Sequence, residues 1–125
     1  MRRALLVCAL VAGCGGTAGD SSGSSGACTA LFAWGLDVQV VSASSSAPLC
    51  DATVSITDGS YQETLKTLPT GSPDGGANCT FVGAGERAGT YRIDAKSGSS
   101  EKVVDGIVVT KDACHVQPQS VRIVL

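Results

Sequence analysis

Hydrophobic and polar residues alternate in short runs through the C-terminal part of the chain, without a sustained helical repeat. Phe32, Trp34, Leu36, Val38 and Val40 share one parity, with Asp37 and Gln39 between them. Ala52, Val54 and Ile56 alternate with Thr53, Ser55 and Thr57, and Tyr91, Ile93 and Ala95 alternate with Arg92, Asp94 and Lys96. Val121, Ile123 and Leu125 form a last run, with Arg122 facing away. A period of two marks strands with one buried and one wet face. Weaker runs over Tyr61–Leu65, Cys79–Gly83 and Glu101–Thr110 complete the set. Turn residues separate them at Ala47-Pro48, Asp58-Gly59-Ser60, Pro73-Asp74-Gly75-Gly76, Ser97-Gly98 and Lys111-Asp112. The pattern predicts an all-β body, 28–125, built as a single seven-stranded antiparallel β-sandwich. Trp34 shares parity with Leu36 and Val38 and is expected in its core rather than exposed as a sugar platform.

The N-terminus follows a different pattern. Arg2 and Arg3 precede an uninterrupted apolar run, Ala4 to Ala12. That run is far shorter than the roughly 20 residues a membrane span needs, and it reads as an export signal over 1–13. Its end, Val11-Ala12-Gly13-Cys14, resembles the lipobox of bacterial lipoproteins, with Val11 where Leu is commonest. The resemblance implies cleavage before Cys14 and attachment of diacylglycerol to its sulfur, usually with an acyl chain such as palmitate on the new amino group. Several acyl chains together make a stable anchor. Gly15 stands where the enterobacterial sorting rule would place Asp for inner-membrane retention, which leans the expected localisation in the cell envelope towards the outer membrane. Between anchor and body, Gly15 to Ala27 contains nine Gly or Ser residues and no large apolar one. Residues 14–27 therefore read as a lipidated Cys and a linker that spans roughly 20 Å as a coil.

Within the body, Pro48, Leu49, Ala52 and Val54 resemble the "Gly-x-Pro-hydrophobic-x-x-Ala-x-Val" opening of carboxypeptidase-regulatory-like domains, with Ser46 in the place of the Gly. Gly89, Tyr91 and Ile93 resemble the later "Gly-x-Tyr-x-hydrophobic" strand of that family. After it, Gly98 is kept but Ser99 replaces the usual Tyr. The resemblance implies a transthyretin-like sandwich that serves as a non-catalytic accessory or adhesion module. Cys79-x-Phe81, Gly85-Glu86-Arg87 and Asp112-x-Cys114-His115-Val116 further resemble a cysteine-bearing subgroup among envelope lipoproteins.

Composition narrows the chemistry. The whole chain carries net charge −2, and removal of Arg2 and Arg3 with the signal leaves 7 basic against 11 acidic residues, or −4. Without a basic run, a nucleic-acid partner is not expected. Of six cysteines, Cys8 leaves with the signal and Cys14 is the expected lipidation site. Cys28, Cys50, Cys79 and Cys114 remain, an even number that reads as two disulfides in an exported chain. If the strands run alternately up and down, end parity favours Cys28–Cys114 and Cys50–Cys79.

Candidate sites are few. Asp112, Cys114 and His115 fall short of a zinc set once Cys114 is bridged, so no metal or cofactor is expected. His115 is the only His and hence the only base for a Ser-His-Asp triad, and no Ser lies in a Gly-x-Ser-x-Gly elbow. The catalytic histidines of the purine-pathway hydrolase that shares the transthyretin-like fold have no counterpart here. Asn78, the one Asn, sits beside Cys79 and offers no good isopeptide candidate, and Asn78-Cys79-Thr80 fits the Asn-x-Ser/Thr glycosylation pattern only by chance. Glu86 and Arg87 are candidate ligand contacts, or else a local ion pair fixing a corner. The chain is thus expected to be no enzyme but a membrane-anchored envelope lipoprotein displaying a structural or binding sandwich, with another envelope protein or a polysaccharide as partner. The alternative is a small hydrolase or metal-dependent enzyme using His115.

Overall fold

A computed structural model of the chain describes residues 27–71 and 77–125. The predicted signal over 1–13, Cys14 and nearly all of the 14–27 linker lie outside the described residues, as does the Pro73–Gly76 turn signal.

The body is all-β. Its strands are β1 (Trp34–Val41), β2 (Thr53–Asp58), β3 (Tyr61–Thr64), β4 (Lys66–Gly71), β5 (Ala77–Gly85), β6 (Gly89–Ser97), β7 (Ser100–Val109) and β8 (Gln119–Val124). They form two four-stranded sheets, ordered β4-β5-β1-β8 and β3-β2-β6-β7. The inward parities of both sheets meet in one core that includes Leu36, Val38, Val54, Ile56, Phe81 and Ile93, all essentially inaccessible to water.

Two expectations need correction. The described residues form eight strands rather than seven, because the run beginning at Tyr61 continues past Leu65 and changes sheet, pairing first with β2 and then with β5. Leu65 alone separates β3 from β4. One residue cannot reverse a chain, so the two strands are a single pass that crosses from one layer to the other. The sandwich is also not wholly antiparallel, since β1 and β8 pair in parallel from Leu36↔Gln119 to Val41↔Val124. Seven alternating passes return the last in the direction of the first, so neighbours at those two positions must be parallel.

The hairpin turns match their residues. Asp58 pairs with Tyr61 across Gly59-Ser60, and Ser97 with Ser100 across Gly98-Ser99. Gly59 and Gly98 have φ of 59° and 57°, as the first central residue of a two-residue hairpin turn requires. Ser99 thus completes an ordinary two-residue turn without the expected Tyr. In β7 an extra residue is accommodated between the Tyr91 and Ile93 pairings, where Gly106 takes φ 76°.

Both disulfides join the pairs that end parity selects. Cys50, in the β1–β2 connection, bonds Cys79, and Cys28, ahead of β1, bonds Cys114 in the β7–β8 connection. Cys79 lies within β5 rather than in a loop. Parity still holds because β3 and β4 count as one pass.

Candidate functional site

The Cys28–Cys114 bridge fastens a short strap, residues 28–33, across one end of the sandwich. Beside it lies an open groove of about 390 Å³, with Thr29, Leu31, Phe32, Lys111 and His115 among its walls. The β7–β8 connection supplies the floor. Asp112 Oδ1 accepts hydrogen bonds from the N–H groups of Cys114 (2.7 Å) and His115 (2.8 Å), and Gln117 donates to Oδ2. These bonds make the turn that the Lys111-Asp112 signal predicts. The His115 and Cys114 N–H groups hold the Asp112 carboxyl below its ordinary range.

Glu86 turns the chain out of β5 with φ 51°, a left-handed conformation uncommon outside glycine. That turn aims its carboxylate at the strap. Ala33 N–H donates to Oε1 at 2.7 Å while the Glu86 N–H donates to Ala33 O at 2.9 Å. His115 Nδ1 lies 2.8 Å from the same Oε1, and its Nε2 lies 3.1 Å from Thr29 Oγ1. Since a carboxylate only accepts, the proton between them belongs to Nδ1. The Ala33 N–H first, and His115 second, hold the Glu86 carboxyl below the usual value. Thr29, His115 and Glu86 thus form a hydroxyl–imidazole–carboxylate line joining strap, loop and sheet.

Glu86 and Arg87 do not pair with each other, contrary to the local ion pair expected. Arg87 points the opposite way, donating to Asp58 Oδ2 (2.8 Å) and Tyr91 Oη (2.9 Å), with its guanidinium 4.0 Å from the Tyr61 ring centroid. The Tyr91 hydroxyl donates to Arg87 O. Gly89 leaves room for this corner, since a Cβ there would stand 2.5 Å from Asp58 Oδ2. Next to it, the hydrogen bond to Glu63, followed by burial, pushes the Tyr61 hydroxyl up to about 12. Arg87 therefore fixes the β2–β3–β6 corner, and Glu86 alone belongs to the groove.

Phe32 and Trp34 are not core residues. Trp34 opens β1 beyond the layer where the two sheets face each other. It is half-buried, its ring edge-on to Phe32 at 4.7 Å between centroids and capped by Lys66 Nζ at 5.5 Å. Phe32 precedes β1, packs over Gly85 and stays 61% exposed. Parity predicts the face of a strand but not where along it the opposing layer stops.

Among the described residues, no three His, Cys, Asp or Glu side chains gather as a metal set. The Cys114 sulfur is in the bridge and Asp112 Oδ1 holds two N–H groups. Sequence reasoning missed Thr29 and its link to Glu86. A signal was present, because Thr29 and His115 each follow one cysteine of the same bridge. No protein-family profile, curated protein or solved structure matches the chain.

Proposed function

We propose that the protein is a cell-envelope lipoprotein, anchored through Cys14 and facing the outer membrane rather than the inner, that displays a non-catalytic structural or binding sandwich. The observation that carries this reading is the pair of closed disulfides at opposite ends of the body, in a chain whose first residues read as an export signal ending at a cysteine. Such bridges belong to an oxidising compartment. The partner is another envelope protein or a polysaccharide, met without a cofactor. The carboxypeptidase-regulatory-like alignment gains support at Ser46, which stands in the glycine position of the motif and takes φ 58°, a conformation glycine favours. Replacement of Cys14 by Ser is expected to move the processed protein from membrane to soluble fractions. Unchanged partitioning would refute the anchor.

One observation favours a second reading, a small hydrolase using His115. In the Thr29–His115–Glu86 line, Thr29 Oγ would attack an ester carbonyl while Nε2 takes its proton. The departing alcohol would receive that proton, and water would then free the acyl group from Thr29. Against it, the nearby N–H groups of Cys114, His115 and Ala33 are already committed to Asp112 and Glu86, leaving none of them for a developing oxyanion. Ester-cleaving activity lost in both Thr29→Val and His115→Ala would establish the hydrolase.

A further inference from the structure

Leu31 and Phe32 are the two most exposed large apolar side chains among the described residues, at 73% and 61%. They are adjacent, and the strap that carries them is fixed at one end by the Cys28–Cys114 bridge and at the other by Ala33 and Glu86. Trp34 extends the apolar patch inward through its edge contact with Phe32. Two lysines flank it, Lys111 on the groove wall and Lys66 over the indole, and neither makes an ion pair among the described residues. Of the acidic groups beside the strap, Glu86 is part-buried and bonded to Ala33 and His115, while Asp112 is exposed with its carboxylate accepting hydrogen bonds from its own loop. An aromatic and aliphatic tip between free lysines is the composition that suits the membrane–water interface.

The chain length says what covers this tip. Thirteen residues, Gly15 to Ala27, separate the predicted anchor from Cys28. They reach roughly 20 Å as a coil and about 45 Å at full extension. The strap is the first part of the body after that linker, so it is the surface held nearest the lipid. We propose that Leu31 and Phe32 insert into the headgroup region of the membrane that carries the anchor, turning a single-point tether into a two-point attachment and setting the orientation of the sandwich. This proposal rests on the Cys14 anchor reading, and its test is arranged to be independent of natural lipidation.

Trp34 is the only Trp of the chain and touches Phe32, so its emission reports on the strap alone. With both disulfides closed, the chain starting at Cys14 has one free thiol, Cys14 itself. That thiol is coupled to a maleimide-bearing lipid in phosphatidylcholine–phosphatidylglycerol vesicles whose acyl chains are brominated near the headgroup. Trp34 emission is expected to shift to the blue and to be quenched. Quenching is expected to be lost in L31S/F32S and kept in Val108→Ser, which alters an exposed apolar residue on β7. A melting curve and unreduced mass for L31S/F32S confirm that the body and its bridges remain. Unquenched emission from the coupled wild-type chain overturns the proposal and assigns the patch to a protein partner. Quenching that persists in L31S/F32S also overturns it, because another face would then meet the lipid. Failure of natural lipidation appears separately, as soluble partitioning of the wild-type protein in cells.

Discussion

Removing the two disulfides one at a time is expected to rank them against their loop lengths. The bridges close loops with sequence separations of 86 and 29 residues. Constraint of the unfolded chain alone assigns about 4.6 kcal/mol to Cys28–Cys114 and about 3.6 kcal/mol to Cys50–Cys79. The folded side differs. Once Cys28 is freed, residues 28–31 are tied to the body chiefly by the exposed Thr29–His115 contact, worth about 1 kcal/mol. Keeping four residues ordered costs about 1 kcal/mol each or more, so this part of the strap frays and the folded state recovers about 3 kcal/mol. C28A/C114A should therefore cost only about 1–2 kcal/mol. Cys79 has no such escape, being 4% exposed in a strand flanked by β4 and β1. C50A/C79A should lose the full 3.6 kcal/mol or so, plus a contribution from the buried volume removed. Urea unfolding followed by far-ultraviolet circular dichroism measures both differences. A larger loss for C28A/C114A than for C50A/C79A would refute the reasoning and show that the strap is intrinsically ordered.

Acid should loosen the groove end first. Glu86 and Asp112 both have folded-state carboxyls held below their ordinary values, so the unfolded chain binds more protons as pH falls. The stabilisation they give is complete above the unfolded values and is lost as pH drops through the folded ones. Protection of the Ala33 and His115 amides, corrected for the intrinsic pH dependence of exchange, should fall as pH drops below the ordinary carboxyl range, and constant protection would contradict the assigned bonds. Gly35→Ala should destabilise by about 1–3 kcal/mol in urea, because its Cβ would stand 2.7 Å from the backbone oxygen of Ala84 and 3.0 Å from Val109 Cγ1. An unchanged midpoint would mean that β1 and β5 approach less closely here.

Where alternation was clear, sequence and structure agree to within two residues. β2, β6 and β8 each lie in the middle of one sheet or beside β1, and each sends every second residue into the core. β4 was invisible because all six of its residues are exposed. Its existence depends on the hydrogen-bond ladder to β5, from Lys66↔Val82 to Gly71↔Ala77, and a ladder leaves no mark in hydropathy. The disulfide pairing was legible because it depends only on which end each pass reaches. The groove was legible only in part: Thr29 and His115 each follow one cysteine of the same bridge, but their junction with Glu86 is made by bonds that no local pattern encodes.

Parallel pairing of β1 with β8 gives the molecule a head and a foot. Leu125 donates to Val41 O and accepts from Ala43 N–H, so it lies at the end of β1 opposite the strap. The eight residues of β1 set the two ends about 25 Å apart. A fluorescent protein or epitope fused after Leu125 would stand clear of the surface that the strap faces, free to report on display without crowding the groove. Joining Leu125 to Cys28 by a short loop, as a circular permutant requires, would have to bridge the full height of the sandwich.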